Sequence, residues 1–153
     1  MLSQPNHVAH IELRDFLAYR LTKLAYRVTR QLAATYCEAQ HLTSSEWKVL
    51  SILAETSGLS GTEISQRSTL DRFAVSKTIR RLMERELIAR LPVPNRGRAV
   101  VIALTARGWK VYGPIAEQAM RQQDQLLSAL TEGERTELFA LMDKLEVKLD
   151  EAL

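Results

Sequence analysis

The chain has 153 residues, of which 46% are apolar and 25% charged, with a net charge of +3. That is the balance of a soluble globular domain able to form a core, and it argues against bulk disorder. No apolar run reaches the roughly 18 residues of a membrane span, and MLSQPNHVAH lacks the basic and apolar regions of a secretory signal.

The charge is unevenly placed. Residues 69–98 hold 8 Lys/Arg against 3 Asp/Glu, a surplus of five, whereas residues 99–153 hold 6 against 9. A window more basic than the whole chain is the footprint of a polyanionic partner. The single cysteine, Cys37, cannot close an internal disulfide, which suits a cytoplasmic location.

Residues 10–40 contain no Pro or Gly, and Leu13, Leu17, Leu21, Leu24, Val28 and Leu32 recur every three or four positions. This predicts one long amphipathic helix of about thirty residues, with more apolar stripe than a small domain needs and hence a second copy to pack against. Thr43-Ser44-Ser45-Glu46 and Ser60-Gly61-Thr62-Glu63 are capping boxes, and Asp71 is a further N-cap. Helices are therefore expected at 44–55, 61–67 and 72–85. Two short helices joined by a tight turn, the second basic on its outer face, describe a helix-turn-helix.

After Leu87 the texture becomes β-rich. Residues 87–91 and 99–104 read as strands around the turn-forming, basic stretch Pro92-Val93-Pro94-Asn95-Arg96-Gly97-Arg98, with the prolines at an edge or in the loop. A hairpin directly after a helix-turn-helix is a wing. Thr105 caps a further helix in which Gly113-Pro114 predicts a kink or break. Thr131-Glu132-Gly133-Glu134 opens a last helix carrying Leu138, Leu141, Met142, Leu145 and Leu149. The expected fold is mainly α with a small β-hairpin wing: residues 1–40 an N-terminal dimerisation helix, 41–104 a winged helix-turn-helix, and 105–153 C-terminal dimerisation helices.

This order of segments resembles the MarR family of transcriptional regulators from about residue 20 to 150. The match is carried by Leu42-Thr43 with Trp47, Val49, Leu50 and Leu53, then by Leu70-Asp71, Val75-Ser76-Lys77, Arg81-Leu82 and Leu87-Ile88-Ala89-Arg90. Val100, Ile102, Leu104-Thr105 and Gly108 continue it, and Leu130-Thr131, Glu134, Leu138 and Leu141 end it. The family usually has glycine where this chain has His41 and Glu86, so both helices there are expected to end without the left-handed cap that glycine makes easy. Arg96 stands where the family's wing commonly carries an Asp paired with the Arg at position 98, so that brace is missing.

The resemblance implies a homodimeric regulator of double-stranded DNA, a repressor by family expectation, that reads a pseudo-palindrome. Half-sites would lie about one helical turn apart, and residues 10–32 and 115–150 would supply the dimer interface. In the helix from residue 72, Val75, Ile79, Leu82 and Met83 face the core. Arg72, Phe73, Ser76, Lys77, Arg80 and Arg81 face DNA, with Arg72 and Lys77 entering the groove and Arg81 nearer the backbone. Arg and Lys read guanine edges, and an apolar Phe73 can meet a thymine methyl. Thr62 is placed for a phosphate, and Arg96 and Arg98 for the minor groove.

Family members commonly bind small aromatic anions in a cleft between dimerisation helices and winged domain. Tyr19, Arg20, Lys23, Tyr26, Trp47, Trp109 and Tyr112 carry suitable chemistry for an aromatic carboxylate. No cofactor or metal is expected, since His7 and His10 lack further ligands, and Cys37 has no evident resolving partner. An enzyme is disfavoured, there being no phosphate loop or ligand set. The rival reading is a winged helix used only for protein contacts.

Overall fold

The computed structural model describes residues 10–93 and 99–151, with the side chains of residues 35–39 outside it. Contacts divide the chain into two units, Met1–Leu42 and Thr43–Leu153. The first unit holds helix α1, Leu17–Gln40. It starts later than the predicted residue 10, because Glu12 and Asp15 form a turn first. The Asp15 N–H donates to the Glu12 carbonyl at 2.9 Å, and Arg14 ion-pairs with both carboxylates at 2.8 and 3.4 Å.

The second unit runs α2 (Ser44–Glu55), α3 (Gly61–Arg67), α4 (Arg72–Glu84), β1 (Ile88–Pro92), β2 (Val100–Leu104), α5 (Ala106–Leu127) and α6 (Glu132–Asp150). Each helix begins where a side chain takes over an orphan N–H. Thr43, Ser60 and Thr131 form complete capping boxes with Glu46, Glu63 and Glu134. Asp71 accepts from the Ala74 N–H and Thr105 from the Gly108 N–H.

The core gathers the inner faces of α2, α3 and α4 with the hairpin. Val49, Leu50, Leu53, Ile64, Val75, Leu82, Leu87, Ile88 and Ile102 are all buried. Ile79 is buried as expected, while Met83 is only partly covered. Strands β1 and β2 pair antiparallel from Ile88↔Leu104 to Pro92↔Val100, so Pro92 ends its strand as an edge residue should. Leu59 bridges to Ile102 on the other side of β2, a third pairing that periodicity did not suggest.

Two expectations need correction. α5 is one continuous helix through Pro114, so there is no break at Gly113-Pro114. Proline removes one N–H, and the helix bridges that gap where Ile115, 2% exposed, anchors the next turn in the core. His41 and Glu86 do adopt the left-handed conformation, at φ 51° and 57°. The glycine of the family pattern is gone, but the backbone path it served is retained.

Candidate nucleic-acid interface

The Asp71 cap fixes the start of α4 and thereby the direction of every side chain on it. At about 100° per residue, Phe73, Ser76, Lys77 and Arg80 share the sector opposite Val75, Ile79 and Leu82. All four are exposed, as are Arg72 and Arg81 on the flanks. Phe73 stands on the crest at 80% exposure.

The predicted residues separate into two groups. Thr62, Arg72, Ser76 and Arg80 line one open groove of about 700 Å³ between α4, the start of α3 and the hairpin. Phe73, Lys77 and Arg81 lie outside that groove, on the crest and far side of α4. Arg96 and Arg98 lie outside the described residues. Of the two residues expected to enter a DNA groove, Arg72 lies on the hairpin side of the crest and Lys77 on the other.

Arg90 was missed as a site residue. It pairs with Ile102 across the hairpin, and both line the groove together with Val100. The period-two alternation of β1 could have found it. Among the described residues Glu84 is the only acid lining the groove, where Arg72, Arg80 and Arg90 outnumber it. Among the described residues none of Arg72, Lys77, Arg80 or Arg81 makes an ion pair. Such uncommitted cations on one ridge can exchange water for phosphate or base edges without breaking an internal contact.

Polar contacts brace both ends of α4. Glu46 is 5% exposed; its carboxylate accepts the Thr43 N–H at 2.7 Å and lies 3.8 Å from the Arg85 guanidinium. It thus ties the start of α2 to the end of α4. Lys48 donates to Thr69 at 2.8 Å, and the Ser68 hydroxyl accepts the Leu70 N–H at 3.1 Å, holding the turn before α4.

At the residues predicted to meet a ligand, α1 carries Lys23 with its Nζ 5.8 Å from the Tyr19 ring centre. Tyr19, Arg20 and Lys23 line a shallow surface groove of about 510 Å³ on that helix. Tyr26 does not line it and is 62% exposed. In the winged unit, Trp47 stacks on Tyr112 at 5.3 Å and 18°, and Trp109 meets Tyr112 edge-on at 5.9 Å. Among the described residues no group of His, Cys, Asp or Glu is arranged to hold a metal ion, and no helix is long and apolar enough to cross a membrane.

A helix-turn-helix presenting a basic second helix beside a hairpin defines a winged-helix DNA-binding protein. The family model of MarR matches residues 42–100, and the chain is 30% identical over 105 residues to the transcriptional repressor Rv2887 of Mycobacterium tuberculosis, covering 68% of this chain and 75% of that protein. The chain belongs to the MarR family and is a DNA-binding transcriptional regulator. It is 27% identical to the transcriptional regulator FarR of Neisseria gonorrhoeae, across 74% of this chain and 77% of that protein. A crystal structure of a MarR/EmrR family regulator from Acinetobacter sp. ADP1 superposes with a TM-score of 0.84 at 28% identity, covering 92% of this chain and 99% of that one. The Rv2887 structure, solved in complex with salicylic acid, matches with a TM-score of 0.67 at 24% identity over 85% of this chain and 96% of that one.

Proposed function

We propose that the chain acts in the cytoplasm as a homodimeric repressor that places α4 in the major groove of each half of a pseudo-palindrome and is released by a small aromatic acid. The observation that carries this reading is the outer face of α4, where four exposed cations have no acidic partner among the described residues. Arg72, Ser76 and Arg80, with Thr62 and Arg90 across the groove, hold one sugar-phosphate strand. Lys77 and Arg81 work from the other side of the crest. Arg96 and Arg98 supply a basic wing tip. Residues 41–104 then bind DNA, and residues 1–40 and 105–153 dimerise.

Dimerisation is supported by apolar surface that the single chain leaves in water. Leu17, Leu21 and Leu24 on α1 and Leu138, Leu141, Met142 and Leu145 on α6 are exposed at helical spacing, and α6 buries no residue. The ligand class is supported by two sets of side chains. Arg20 and Lys23 beside Tyr19 offer cations and an aromatic wall; the Trp47–Tyr112–Trp109 cluster offers ring faces. Rv2887 binds salicylic acid, an aromatic carboxylate. If such an acid releases DNA, DNA must weaken the acid by the same factor.

The test is a fluorescence-anisotropy titration of the full chain against DNA from upstream of its own coding sequence and against scrambled DNA, each at two salt concentrations. Tight, sequence-dependent binding that salicylate reverses is the expected result. The double variant Arg96→Ala/Arg98→Ala should bind more weakly, with the slope of log affinity against log salt flattened by about two. Weak binding, equal on both DNAs and lost with modest salt, would overturn the reading in favour of a protein-contact module.

A further inference from the structure

Phe73 poses a physical question that the cations around it do not. It is the second residue of α4 and 80% exposed, directly opposite the buried stripe of Val75, Ile79 and Leu82. Its helical neighbours one turn on are Ser76 and Lys77, both exposed and polar, so no apolar side chain of its own helix shelters the ring. It also stands clear of the groove that Arg72, Ser76 and Arg80 line. The hairpin-side cations therefore flank the ring, and Lys77 flanks it from the other side.

That arrangement fixes what the ring meets when α4 enters a major groove. The flanking cations take the two phosphate walls, and the crest goes deepest, against base edges near the N-terminal end of the recognition helix. Hydrogen-bond donors and acceptors line that floor, and the thymine C5-methyl is the apolar group it offers. A ring left on guanine or cytosine edges would strip water from polar atoms and return no hydrogen bond. Resting on the DNA-binding reading above, we propose that Phe73 is a specificity-determining residue that reads a thymine methyl group in each half-site. Arg72 and Lys77, on either side of the crest, then set register rather than identity at that base pair.

The experiment selects a binding site from random duplex DNA with the wild-type chain, then replaces each thymine of that site singly with deoxyuridine, which deletes only the methyl group. At one thymine per half-site, the wild type should lose affinity roughly fourfold, the factor for one methyl group returned to water. Phe73→Ala should bind the thymine and deoxyuridine sites equally, with its circular dichroism and melting temperature unchanged because the ring touches no core. Loss on deoxyuridine that persists undiminished in Phe73→Ala, or a selected site that tolerates every replacement, would overturn the assignment while leaving sequence-specific binding intact. Failure to select any sequence would overturn the DNA-binding reading itself, and the assignment with it.

Discussion

Glu86 holds a left-handed backbone conformation, at φ 57°, that costs a non-glycine residue about 1–2 kcal/mol. The corner around it offsets that strain. The Glu86 and Leu87 N–H groups donate to the Met83 and Leu82 carbonyls, both at 2.9 Å, the paired bonds of a Schellman cap. The Thr105 hydroxyl donates to the Glu86 carbonyl at 2.6 Å, and Arg107 pairs with its carboxylate at 3.1 Å. Gly108 completes the corner: a Cβ there would lie 2.0 Å from the Leu87 oxygen. Gly108→Ala should therefore displace the start of α5 from the end of α4 and destabilise the chain by about 2–3 kcal/mol, read from urea unfolding. A loss below 1 kcal/mol would show that the corner yields easily.

The caps of α3 and α6 give a pH prediction at the same scale. Backbone and hydroxyl hydrogen bonds from Ser60 and Thr131 hold the carboxyls of Glu63 and Glu134 below the ordinary glutamate value. A depressed folded pKa means the unfolded chain takes up the proton first on acidification. The caps' contribution is thus present above the ordinary glutamate pKa and is lost as pH falls through the lowered one. Carboxyl NMR titration should place both midpoints below the ordinary glutamate value. Midpoints at that ordinary value would mean the boxes do not persist in solution.

At the scale of elements, α5 keeps Pro114 in its interior, exposed, with Ile115 buried beside it. The missing N–H leaves one helical carbonyl without its usual donor, a defect tolerated because the turn on each side is anchored. Pro114→Ala should restore the bond and raise stability by about 1–3 kcal/mol, visible as a higher denaturation midpoint with an unchanged slope. No gain would mean that neighbouring turns have already absorbed the defect. The sheet shows the same dependence on neighbours. Gly58 and Leu59 donate their N–H groups to the Ile102 carbonyl at 3.1 and 3.2 Å, and Ile102 returns one to Leu59 at 2.8 Å. Gly58 at φ 79° turns the chain into that contact, closing the outer edge of β2.

At the scale of the whole molecule, the apolar stripe of α6 is the feature a lone chain does not explain. Leu141 is 50% exposed and Leu145 43%, and neither helps to close the winged core. The variant Leu141→Glu/Leu145→Glu should leave the fold intact, shift the mass from dimer to monomer in analytical ultracentrifugation, and weaken operator binding by two orders of magnitude or more, since both half-sites must then be found separately. A variant that stays dimeric with full affinity would place the interface elsewhere.

The sequence by itself determined where α2 to α6 begin and which face of α4 is wet. Thr43, Ser60, Asp71, Thr105 and Thr131 cap within three residues of themselves, and Val75, Ile79 and Leu82 declare the buried stripe by spacing alone. Interactions that short in range leave their mark in the order of residues. Only the tertiary structure decided that Arg90 joins Thr62, Arg72, Ser76 and Arg80 in one groove while Phe73 and Lys77 stand outside it. It also decided that Leu59 completes the sheet, and that Glu86 takes a glycine's conformation under the clamp of Thr105 and Arg107. Those outcomes depend on groups about 20 to 40 positions apart meeting in space, where packing and long-range hydrogen bonds override local preference.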